Sequence, residues 1–158
     1  MKIGLYLFAG LGLIPACWAE IAPVEGLWES TGEIPLEQKN MYQQMPPEAL
    51  KQMQKSGMKI DPQAGTMTMS YCLNKEKLSQ WHQMGKNSQQ KCDKPQISNS
   101  GNTVTMDMVC HPPQAGKMHS VIQFNAARDQ YQYTHTITSA QGVMTMRGHA
   151  KRLGHCKQ

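Results

Sequence analysis

The stretch CDKPQISNSGNTVTMDMVC, Cys92 to Cys110, holds a complete β-hairpin pattern between two cysteines. Its middle, Asn99-Ser100-Gly101-Asn102, is a cluster of turn formers, because glycine and asparagine accept the backbone angles that tight turns need. Cys92 and Cys110 flank this turn almost symmetrically. On the second arm, Val104, Met106, Met108 and Cys110 fall on one side, and Thr103, Thr105 and Asp107 on the other. That two-residue period is the mark of a strand with one buried face, and the apolar side is the core side.

Reading outward toward the C-terminus, three more strand-like runs follow: Met118–Asn125, Tyr131–Thr138 and Val143–Lys151. Pro112-Pro113 with Gly116, Arg128-Asp129 and Gln141-Gly142 connect them. Such short connections suit antiparallel neighbours. Toward the N-terminus, Gly26–Thr31 alternates and predicts a first strand with Trp28 facing the core. Residues 32–45 read as a polar connection. Pro46-Pro47-Glu48 opens a short helix with Leu50 and Met53 on one face and Gly57 as its stop. Asp61-Pro62 and Gly65 mark a loop, and Thr66–Cys72 alternates as a second strand. Asn74 is placed to cap a second helix that carries Leu78 and Trp81 and ends near Gly85-Lys86. The fold class is mainly β with a minor helical part. An antiparallel meander forms a curved sheet, half-barrel or small closed barrel, with two short helices.

The start of the chain addresses the protein. Lys2, the apolar run Ile3–Ala16 and the small residues of Cys17-Trp18-Ala19 make up a signal peptide, with cleavage expected after Ala19. The apolar run is shorter than the roughly 20 residues of a membrane-spanning helix. Residues 20–158 then form a single disulfide-bridged domain, exported to the periplasm. A competing reading is lipid attachment at Cys17, although Pro15 just before Ala16 fits that signal poorly. Cys72, Cys92, Cys110 and Cys156 remain after the leader, and an even number in an exported chain reads as disulfides. Four cysteines allow three pairings, and sequence alone does not choose among them. A hairpin turning at 99–102 would pair Cys92 with Cys110 and leave Cys72 for Cys156.

The formal net charge is +5, with Lys2 in the leader among the basic residues. The remaining basic residues are scattered without a run or stripe, which reads as a solvated surface. No interleaving of aromatic and basic residues points to nucleic acid. The chain has no G-x-S-x-G elbow, phosphate loop or metalloprotease helix. Glu25, Glu29 and Glu33 make no convincing acid–base pair, and a cysteine nucleophile would need a free thiol. The expectation is a non-enzymatic domain with no cofactor. Its partner is unknown: an envelope protein or an apolar ligand.

The order of these features resembles an exported bacterial group, domain-of-unknown-function family 3617. The matching features are Gly26-Leu27-Trp28-Glu29, the single Cys72 before a helix, Cys92 and Cys110 around a Ser-Gly-Asn turn, and the closing Arg152-Leu153-Gly154-His155-Cys156. The resemblance implies an exported, small, β-rich, cysteine-bridged domain, and it carries over no catalytic or ligand residue. The Gly-x-Trp opening also looks like that of lipocalin-type barrels, where a first-strand tryptophan packs under a basic residue from a late strand. By that analogy Trp28 would sit under Arg147 or Arg152.

Methionine is the unusual component: 13 residues against 2 phenylalanines. Six of them form M-x-M pairs on three separate predicted strands: Met67/Met69, Met106/Met108 and Met144/Met146. Packing is the first reading, since methionine is a flexible apolar filler. A soft-metal site is an alternative, because thioethers from several strands could converge on Cu(I). His119, His135 and His149 on neighbouring strands would complete it. A third reading is a methionine-lined interior that accepts an apolar small molecule, as in a lipocalin. No H-x-x-x-H or CxxC spacing supports zinc.

Overall fold

A computed structural model describes residues 21–81, 91–113 and 115–156. The expected leader with Cys17 and the expected helix end at Gly85-Lys86 lie outside the described residues. The order is β1 (Gly26–Glu33), α1 (Leu36–Gln43), α2 (Pro47–Lys55), β2 (Met58–Asp61), β3 (Thr66–Leu73) and α3 (Lys75–Leu78). It continues with β4 (Gln96–Ser100), β5 (Thr103–Cys110), β6 (Gly116–Phe124), β7 (Gln130–Ser139) and β8 (Gly142–Gly154). All eight strands form one antiparallel sheet in the order β2-β3-β1-β8-β7-β6-β5-β4. The sheet is open, with β2 and β4 at its edges, so the closed-barrel version of the expectation does not hold.

The meander from β4 to β8 follows the sequence pattern. Its five strands are neighbours in chain order, joined by turns at the anticipated places. The first strand enters between β8 and β3, pairing Trp28 with Arg152 on one side and Tyr71 on the other. The register shifts between Leu27 and Trp28, where Leu27 opposes Gly154 but Trp28 opposes Arg152, leaving Leu153 as the extra residue. Such a bulge bends the strand and raises its twist.

The helices depart from the sequence reading in three ways. Residues 32–45 hold α1, whose sequence LEQKNMYQ has neither an apolar stripe nor a side-chain cap. Pro35 is the N-cap, and its carbonyl accepts from Gln38 N–H and Lys39 N–H at 2.9 and 3.1 Å, which opens the helix. The segment after α2 forms a short strand, β2, before the Asp61 turn. Asp61 Oδ1 accepts from the backbone N–H of Gln63 and Ala64, and this fixes the β2–β3 hairpin. The helix capped by Asn74 starts as expected, with Lys77 N–H donating to Asn74 Oδ1 at 3.0 Å, but it ends at Leu78.

One face of the sheet is the inner face. It carries Trp28, Leu73, Val104, Met106, Ser120, Ile122, Phe124 and Ala150, all buried. Two clusters form it: Trp81 with Val104, Met106, Ile122 and Phe124, and Trp28 with Leu73 and Ala150. Tyr131 packs against both clusters and joins them. Its ring lies 5.4 Å from that of Trp28 and 5.3 Å from that of Phe124. The other face carries threonine, glutamine, lysine and acidic side chains, as the alternation predicts.

Gly32 and Gly148 face each other across β1 and β8, and the Tyr133 side chain lies over both. A Cβ on Gly32 would stand 2.7 Å from the Tyr133 hydroxyl, and one on Gly148 would run into that hydroxyl and the Thr31 carbonyl. The glycines therefore make the bed for an aromatic ring that covers bare backbone. Gly148→Ala is expected to lower stability by about 1–3 kcal/mol through overpacking. Chemical denaturation would measure this, and an unchanged midpoint would mean the ring is free to leave.

Candidate ligand-binding face

The sheet register decides which methionines share a surface. Directly paired residues on neighbouring strands lie on the same face. Met67 and Met69 oppose Gly32 and Ser30, and Met58 opposes Met69. Met106 and Met108 oppose Ser120 and Met118, while Met144 and Met146 oppose Ile137 and His135. Tracing these pairs strand by strand puts all six M-x-M residues, with Met58 and Met118, on the inner face. The prediction that Met106 and Met108 share the core side with Val104 matches the burial: Val104 is closed off and Asp107 is exposed.

The inner face is not uniform. Met106 is 6 % exposed and belongs to the core cluster. Met58, Met67, Met108, Met118, Met144 and Met146 are half-buried, and Met69 is 38 % exposed. The end of the sheet that carries Trp28, Phe124 and Trp81 is therefore packed, and the methionine end is open. Ile60 and Ile137 extend the open apolar surface and are half-buried too.

Polar groups stand at the border between these halves. Ser120 is fully buried, and its Oγ lies 2.9 Å from His135 Nδ1. The His135 ring stacks on Tyr133 at 4.7 Å with 26° between planes. Burial holds the His135 pKa below its ordinary value, so the ring is neutral at neutral pH. Deeper in, the hydroxyls of Tyr71 and Tyr131 share a hydrogen bond at 2.8 Å. Burial pushes both phenols up, so both stay protonated.

The histidines named from the sequence do not converge. His119 and His149 lie on the outer face, where His119 opposes Thr136 and His149 opposes Gln132. His119 Nδ1 instead contacts Asp107 Oδ1 at 2.7 Å, in an exposed pair. Only His135 of the three shares a face with the methionines. The M-x-M pairs do not gather at one point either. Met67/Met69 on β3 lie two strands from Met144/Met146 on β8, and Met106/Met108 lie three strands away on the other side. At about 4.8 Å per strand, that is roughly 10 and 14 Å along the sheet. Among the described residues no group of three or more His, Cys, Asp or Glu is placed to hold a metal.

Among the described residues the four cysteines sit as two pairs. Cys72 and Cys156 are bonded with Cα atoms 5.6 Å apart, and Cys92 and Cys110 are bonded with Cα atoms 3.9 Å apart. Arg152 stands beside Trp28 on β8, and its Nε donates to the Glu25 carbonyl at 2.6 Å. Arg147 opposes Thr134 on the outer face and is exposed, so it has no part in covering Trp28. The one-residue parity between positions 147 and 152 separates them, and the bulge at Leu153 leaves that parity intact.

A family profile described as a protein of unknown function (DUF3617) matches residues 23–156. The chain belongs to this family. The match begins just ahead of β1 and ends at Cys156, so the DUF3617 unit takes in every strand and both disulfides. No curated protein matches the chain, and no solved structure does. Sequence reasoning does not single out Ser120 or the Gly148–Tyr133 contact. Ser120 shows there only as a polar residue inside an apolar strand, and that is the signal that could flag it.

No helix among the described residues is long and apolar enough to cross a membrane. The outer face offers a shallow hollow near Asp107, Lys117, His119 and Thr136. It is small and open, and Asp107 and His119 in it already pair with each other.

Proposed function

We propose that this chain is an exported, periplasmic, non-enzymatic domain that binds an apolar molecule on the methionine-lined half of its inner face. The observation that carries the reading is the division of one sheet face into a packed end and an open methionine end. A core filler should be covered, and here seven methionines on one face keep partial access to solvent. Methionine side chains adapt to varied apolar shapes because they are unbranched and polarisable. The leader-like sequence 1–19 and the two disulfides support the exported compartment. The pattern of an apolar wall with a few polar groups at its border, His135, Tyr133 and Ser30, is that of a binding surface.

Protein recovered from the periplasm should have a mass that begins at Glu20 and lacks four hydrogens. Titration with a fluorescent long-chain fatty acid should saturate at one molecule per chain. Met146→Lys places a charge in the open half and is expected to weaken binding at least tenfold, while Thr145→Lys on the outer face leaves it unchanged. Equal binding by both variants would defeat the proposal.

A further inference from the structure

We propose that His135 and the thioethers of Met146, Met144 and Met118 form a binding site for Cu(I) at the open end of the inner face. The inference stands independently of an apolar ligand. The register places the four residues together. Met146 is the direct cross-strand partner of His135, and Met144 lies two residues along the same face. Met118 on β6 and Met144 on β8 both oppose Ile137 from either side. Their Cα atoms are thus about two strand spacings apart, roughly 10 Å, and two methionine side chains leaning inward span that gap. His135 has Met118 and Met144 as diagonal neighbours, at roughly 7–8 Å between Cα atoms.

The chemistry of this set is selective. Cu(I) is a soft ion that takes thioether sulfur and imidazole nitrogen, whereas harder divalent ions prefer carboxylates and water. Cys72, Cys92, Cys110 and Cys156 are tied up in disulfides, so thioethers are the sulfur ligands on offer. The imidazole is also prepared for a metal. With the proton on Nδ1, that N–H donates to Ser120 Oγ at 2.9 Å and the Nε2 lone pair is left for the ion. Such a hydrogen bond fixes the tautomer and ring orientation of a metal-binding histidine. Ser120 is itself 0 % exposed, so this anchor is built into the core, while His135, Met118, Met144 and Met146 are each half-buried and keep access for an incoming ion. Tyr133 stacks on the ring at 4.7 Å and covers one of its faces. Met106 is excluded by its burial, and Met67/Met69 by lying three strands from His135 on β7, whereas Met118 and Met144/Met146 lie on the two strands that flank it.

The test uses the disulfide-bonded protein that begins at Glu20. Ag(I) is titrated first, because it shares the soft ligand preference and needs no reductant that would open the disulfides. Methyl NMR of the methionines should show Met118, Met144 and Met146 shifting and saturating at one ion per chain. Cu(I) held in a chelator of known affinity should then transfer to the protein. Met144→Leu with Met146→Leu should weaken that transfer at least tenfold, and Met67→Leu with Met69→Leu should leave it unchanged. Shifts spread over all methionines, no saturation at one ion, or equal transfer to both double variants would each overturn the proposal. The methyl shifts are read on the unsubstituted chain, so the site is tested even if a variant misfolds. If Ag(I) fails while the fatty acid binds, only the metal site falls.

Discussion

Replacing Cys72 and Cys156 together by alanine is expected to lower stability by about 4.5 kcal/mol, the loop-closure entropy for a long loop at room temperature. The bridge spans 84 residues of sequence. The Cys92–Cys110 bridge spans 18, so its removal by the same substitution should cost about 3 kcal/mol. Position in the sheet reinforces the order. Cys72 and Gly154 both oppose Leu27, one from each side, so the bridge to Cys156 straddles β1 and holds its two partners together. The Cys92–Cys110 pair adds to a hairpin whose backbone is already tied, with Asp93 N–H donating to the Val109 carbonyl at 2.8 Å and His111 N–H to the Lys91 carbonyl at 2.7 Å. Urea unfolding of the two double variants under oxidising conditions measures the difference. A larger loss from the Cys92–Cys110 variant would mean the clamp across β1 contributes little.

The strands are legible where side chains alternate cleanly. The alternation within Thr103–Cys110 sorts its residues onto two faces, and the buried Val104 with exposed Asp107 agrees. The meander is legible because its connections are short and rich in turn residues. The place of β1 is not, since pairing with both β3 and β8 is a long-range choice that leaves no local mark. The helix α1 escapes for a physical reason: it has no apolar stripe and no side-chain cap, so neither its period nor its start leaves a mark in the sequence. For the candidate face, the sequence supplies the M-x-M pairs, and only the register shows that all of them share one side. The register also parts the histidines. His119 and His149 look equivalent to His135 in the sequence, yet they are odd-numbered residues on strands where the inner set is even-numbered, and from β5 to β8 only β7 has the opposite parity.

Trp28→Ala is expected to cost about 3–5 kcal/mol, the range for truncating a buried aromatic residue. A typical domain has a total stability of about 5–15 kcal/mol, so much of the folded population is at stake. Trp28 is 0 % exposed, packs with Leu73 and Ala150, and meets Tyr131. Its indole N–H donates to the Val24 carbonyl at 2.9 Å, which holds the chain just before β1 across the ring. Trp28→Phe keeps most of the apolar contact and loses that hydrogen bond, so its cost should be smaller. The comparison that matters is with Met146→Ala. Both residues are on the inner face and on paired strands, but a half-buried side chain has less buried surface to lose, so its truncation should cost under about 1.5 kcal/mol, below the roughly 2–5 kcal/mol of a buried methionine. Denaturation midpoints of the two variants measure how far the packed core extends across the face. If Met146→Ala proved as damaging as Trp28→Ala, the methionine end would be core in the same sense as the tryptophan end. An apolar ligand and a Cu(I) ion would then both lose the open surface on which they are proposed to sit. If the costs separate as expected, the fold is held at the Trp28 end and the methionines are left available for binding.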